Sequence, residues 1–169
     1  MNARLRQLQE AIAASIAGMT PEELAWCLPG KWSAAQVLEH LFLTYAGTVK
    51  GCQRCLEAGK PLADAPTLRQ QLGVATVVHF GYMPRRQAPE RSRPKGLPPE
   101  QVVAEIGQKI ATMDDLIAQC ETRYGRRTRL MNHPVLGPLT GGQWRKFHWR
   151  HGNHHLKQIT ALRKRIATR

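Results

Sequence analysis

The last quarter of the chain sets histidines where a helix should bury apolar side chains. Trp144, His148, His151, His155, Ile159, Leu162 and Ile166 recur at spacings of three and four, the period that lines side chains along one face of an α-helix. The stretch opens on Thr140-Gly-Gly-Gln143, a capping box in which the threonine hydroxyl and the glutamine side chain each satisfy a free amide of the first turn. A helix is therefore predicted from there to about Ala167, with this stripe facing inward. Buried imidazoles without partners would each cost roughly a few kcal/mol. They need hydrogen bonds or a shared ion. His151 and His155, four residues apart, stack on one helix face about 6 Å apart along the axis and can hold one ion together.

The rest of the chain reads as helix of the same kind. Leu5, Leu8, Ile12 and Ile16 mark a first helix from about Ala3 to Gly18. Thr20-Pro21-Glu22-Glu23 begins a short helical turn with proline at its first position. Ser33-Ala-Ala-Gln36 is another capping box and opens a long helix to about Ala58, ahead of Gly59 and Pro61. A shorter helix is predicted from Thr67 to about Phe80. Pro99 and Glu100 open one whose apolar stripe is Val102, Val103, Ile106, Ile110, Met113, Leu116 and Ile117. Residues Thr122 to Pro138 read as an irregular link, and no strand pattern competes with the helices. The expected fold is all-α, a four-helix bundle with extra short helices in the connections, forming one domain over residues 1–169.

Met83 to Pro99 contains five prolines and five basic residues. It reads as a loop longer than an ordinary connection, and so as either mobile or functional, a lid being one such function. Basic residues also gather at Arg123 to Arg129, Arg145 to Arg150 and Arg163 to Arg169, and the formal net charge is +13. Such a charge suits a nucleic-acid partner. However, no stacking motif or zinc finger accompanies it, so a solvated basic surface is the preferred reading. The sequence has no run of about 18 apolar residues that would span a membrane and no secretory signal at its start. Cys27, Cys52, Cys55 and Cys120 are scattered rather than arranged as a disulfide framework, which fits a reducing cytoplasm. Cys52-x-x-Cys55 falls mid-helix, where packing is the better reading than redox chemistry.

A third ligand for His151 and His155 must come from another helix. His40 lies inside the long second helix beside Val37, Leu41 and Tyr45, although a lone histidine there is also an ordinary core residue. His79, near a helix end, and His133, before Pro134 in the link, are weaker candidates. Glu39 is turned about 100° from His40 around the helix, which suits support of a ligand better than ligation.

The residues Trp32-Ser33, Gln36-Val37-Leu38-Glu39-His40-Leu41 and His151-x-x-His154-His155-x-x-Gln158-Ile159 resemble motifs of the DinB-like (YfiT-like) superfamily of metal-dependent enzymes. His133-Pro134 through Gly137 and Thr140, followed by Gln143-Trp144, resembles one uncharacterised subfamily of it. The resemblance spans nearly the whole chain. It implies a four-helix bundle with a zinc or nickel ion on His40, His151 and His155. His154 would then point away toward a second layer or the surface, while His148 and Trp144 would line the pocket. Three neutral ligands leave the ion's charge intact and a position open, the pattern of a site that activates a water or thiol nucleophile. The resemblance thus implies a thiol S-transferase or a hydrolase acting on a small molecule such as a low-molecular-weight thiol, in a protein that can form a homodimer. The basic loop would draw an anionic thiol, and neutralising Arg85 and Arg86 would raise KM. The alternative is a non-catalytic, stress-related protein that binds metal or nucleic acid.

Overall fold

In the computed structural model, which describes residues 1–84 and 87–168, the chain is mostly helical. Its elements are α1 (Ala3–Ile16), α2 (Pro21–Ala25), α3 (Ala34–Glu57), α4 (Leu68–Val74), α5 (Pro99–Tyr124), β1 (Arg129–His133), β2 (Gly137–Thr140) and α6 (Gly141–Ile166). The long helices α1, α3, α5 and α6 pack on one another, α3 chiefly against α5 and α1 chiefly against α6. Their inner faces meet in a core that includes the fully buried Leu5, Leu8, Leu41, Tyr45, Ile110 and Ile159. Cys52, Cys55 and Cys120 are also buried there, and no disulfide links them. Among the described residues, no helix is long and apolar enough to cross a membrane.

Local chemistry fixes where the site-bearing helices start. The Ser33 hydroxyl accepts from the Gln36 amide at 3.2 Å while Gln36 Oε1 accepts from the Ser33 amide at 3.0 Å. Thr140 and Gln143 repeat the exchange at the head of α6. Two contacts then set the rotation of α6. Gly152 lies against α1 so closely that a Cβ there would come within 2.5 Å of a Leu8 methyl. Arg145, largely buried, pairs with both Asp114 and Glu121 on α5. With α1 and α5 held in these ways, the His151 and His155 side of α6 is left to meet α3.

Three expectations need correction. Residues Thr122 to Pro138 are not an irregular link. The chain stays helical to Tyr124, and β1 and β2 then pair as an antiparallel hairpin, with His133 opposite Gly137 and Arg129 opposite Thr140. Pro134, which resembles loop punctuation, opens the turn, and Gly137 leaves it as the first residue of β2 with a φ of 71° that favours glycine. Leu130, Met131, Leu136 and Leu139 are buried, so the hairpin closes part of the core. Val103 does not belong to the inner stripe of α5. It is exposed, because it sits 100° around the helix from the buried Val102. Finally, the helix predicted from Thr67 to Phe80 changes character midway, since α4 continues into a wider π-helical stretch at Ala75–His79.

Candidate metal centre

His40 extends from the middle of α3, and His151 and His155 extend from α6. His40 Nε2 is 3.2 Å from His151 Nε2, and His155 Nε2 is 3.0 Å from the same atom. The three residues are close enough to hold a metal ion, each offering one nitrogen, with all three nitrogens within 4.8 Å of one another. Metal–nitrogen bonds of about 2.0–2.1 Å put two ligands of one ion about 3.4 Å apart in a tetrahedron and about 3.0 Å apart at a right angle. The two spacings to His151 Nε2 match this range, and the third pair is within 4.8 Å.

Hydrogen bonding decides which nitrogens are available. His40 Nδ1 lies 2.7 Å from the Ser92 carbonyl oxygen, and His155 Nδ1 lies 2.9 Å from Gln158 Oε1. Both partners accept only, so both imidazoles carry their proton on Nδ1 and present a bare lone pair at Nε2. His151 Nε2 can donate to one of those lone pairs and not to both. At least one close pair of nitrogens is therefore left without a proton between them. A cation shared by the three removes that repulsion. Protonation does not substitute for it, because burial depresses all three. His151 is held well below the ordinary histidine value, first by burial and then by the neighbouring His155 and His40. Burial brings His155 down to about 4, and it lowers His40 against the opposing pull of the Ser92 carbonyl.

Half-buried Trp32 tilts over the His40 ring with centroids 5.1 Å apart, and Phe147 stacks on His151 at 5.2 Å and 12°. His40 and His155 are buried, whereas His151 is only partly so. The cluster therefore lies at the edge of the core with apolar walls. None of the three groups is a carboxylate, so an ion here keeps its full charge.

The neighbouring residues divide by role. Both carboxylate oxygens of Glu39 accept backbone amides of the loop, from Lys95 at 2.6 Å and Gly96 at 3.1 Å. The same loop supplies the Ser92 carbonyl to His40. The loop, read from sequence as either mobile or functional, is thus tied to α3 at two points on its described length, while Arg85 and Arg86 lie outside the described residues. His154 does not join the cluster, and its Nε2 is 3.5 Å from the Gln158 side-chain nitrogen. His148 is buried, with Nε2 2.9 Å from the Thr48 hydroxyl. Trp144 stacks on His148 rather than on a member of the cluster. His133 accepts the Val135 and Leu136 amides on Nδ1 and braces the hairpin turn, and His79 is exposed at the end of the π-helical stretch.

Two supporting groups were not assigned from the sequence. Gln158 follows His155 by three residues on one helix, a spacing that brings side chains together and offered a signal. Ser92 acts through a backbone carbonyl 52 residues from His40, and no side-chain pattern announces such a contact.

In comparison with known proteins, the family model described as a protein of unknown function, DUF1569, matches residues 1–162 of the chain. No curated protein and no solved structure matches it.

Proposed function

We propose that this chain, which belongs to the DUF1569 family, is a metal-dependent enzyme that holds a zinc or nickel ion on His40, His151 and His155. The observation that carries this reading is the convergence of three Nε2 atoms, two of them stripped of protons by the Ser92 and Gln158 oxygens. The placement of one histidine on the second long helix and two on the last supports membership of the DinB-like superfamily and its bundle.

A divalent ion on three neutral ligands lowers the pKa of a bound water to about 7 and favours thiolate over thiol. The protein's own part is to fix that position. Ser92 and Gln158 set the ring orientations of His40 and His155, and Trp32 and Phe147 keep water from the flanks of His40 and His151. The reaction class that fits is attack by a thiol or water on a small electrophile, as in a thiol S-transferase or hydrolase. The free cysteines favour a cytoplasmic setting.

Elemental analysis of protein purified from metal-supplemented cells tests the centre. About one equivalent of a transition metal is expected in the native chain and almost none in His151→Ala. Less than about a tenth of an equivalent in the native chain rules the reading out. Salt-sensitive DNA binding that persists after the metal is stripped would instead favour a nucleic-acid role driven by the +13 charge.

A further inference from the structure

A cavity of about 200 Å³ opens between α4, the π-helical stretch, the hairpin and the head of α6. None of the three clustered histidines lines it. Its floor is apolar, with Val74, Leu136 and Pro138. Its polar side chains are Gln70, Gln71, His79, Arg129 and Gln143, and no carboxylate is among them.

The capping boxes bias this lining toward donors. Gln70 Oε1 is taken by the Thr67 amide at 2.9 Å, and Gln143 Oε1 by the Thr140 amide at 2.9 Å. Among the described residues, neither amide NH2 has a hydrogen-bond acceptor. Gln70 is also held in place by Gly137, where a Cβ would come within 2.4 Å of the Gln70 amide carbon. The Arg129 guanidinium has no ion-pair partner among the described residues. One exposed arginine and two glutamines whose side-chain oxygens are already engaged thus line a pocket with apolar residues beside them and no carboxylate. At roughly 20–30 Å³ per non-hydrogen atom, the space admits about seven to ten such atoms.

We propose that this cavity binds a small organic carboxylate. Arg129 and the amides of Gln70 and Gln143 hold the anion, and the apolar body rests on Val74 and Leu136. The site is separate from the histidine cluster and does not depend on the function proposed for it.

Benzoate, with nine non-hydrogen atoms, serves as the probe, titrated calorimetrically into the full-length protein at constant ionic strength so that general attraction to a basic chain stays fixed. Saturable binding with a stoichiometry of one is expected, weakened at least tenfold in Arg129→Gln and unchanged in Arg126→Gln outside the cavity. Ala75→Phe, which fills the cavity without altering charge, should abolish binding. His155→Ala should leave it intact. Absence of saturable binding overturns the proposal. So does equal weakening in Arg126→Gln, loss of binding in His155→Ala, or inorganic phosphate binding as tightly as benzoate.

Discussion

Gln158 shows how much a single side chain outside the cluster can control. Its Oε1 fixes the His155 proton on Nδ1, and loss of such a partner typically lowers metal affinity 10- to 100-fold. Gln158 is exposed, so Gln158→Ala should reduce affinity by about that factor while changing metal-free stability by less than about 0.5 kcal/mol. Gln158→Glu, which keeps the acceptor, should largely preserve affinity. Equal affinity in the alanine variant and the native chain would show that the tautomer is set elsewhere. A second residue-scale effect concerns acid. Burial holds His148 down to about 3 and His133 to about 4, whereas an unfolded histidine titrates near 6.5. Below about 6.5 the unfolded chain takes up protons that the native one refuses, so stability is lost as pH falls through this range. The Tm of metal-free protein should decline steadily from pH 7 to pH 4. The slope should be shallower in His148→Phe, which keeps the stack on Trp144. A Tm that stays level across that range contradicts this account of the buried imidazoles.

At the scale of elements, the loop between the π-helical stretch and α5 behaves as a strap across α3. Glu39 holds two of its amides, and the Ser92 carbonyl holds His40. Lys95 and Gly96 are exposed, so on removal of the carboxylate water can take its place at both amides, and what is lost is the anchor of the loop on α3. Glu39→Ala should therefore speed hydrogen exchange at the Lys95 and Gly96 amides and weaken metal binding through His40. Unchanged exchange at those two amides would mean that the strap is held by other contacts. Much of the element layout was legible in advance. Helices with a capping box and a stripe at spacings of three and four, such as those opening at Ser33 and Thr140, begin where the sequence places them, because caps and stripes act within a few residues. The hairpin was not legible, since its strands have only five and four residues and β2 is buried without alternation. The pairing of His40 with His151 and His155 needed the DinB-like resemblance, because residues 111 positions apart share no local signal. Glu39 was expected to support its neighbour; its carboxylate holds two amides of the loop that carries Ser92, a contact that no local pattern announces.

For the whole molecule, an ion on the three histidines would join α3 to α6. A ligand at 100 times its Kd that binds only the folded state adds about 2.7 kcal/mol, which for a chain of this size is about 5–10 °C in Tm. Stripping the metal with a chelator should lower Tm by that order, and replenishment should restore it. The chelator should have little effect on His151→Ala. An identical shift in that variant would place the stabilising ion at another site.

With an ion on the three histidines, the bond from Ser92 to His40 would also make the loop and the ion mutual effectors. Ring orientation at His40 depends on a carbonyl that the loop carries, so whatever draws the loop away from α3 loosens the ion's hold. By reciprocity, an ion that favours that orientation resists the loop's departure with the same free energy. A substrate or partner touching residues 87–98 would then alter how tightly such an ion is held without approaching the three histidines. The loop would serve less as a cover for the centre than as a lever on its affinity.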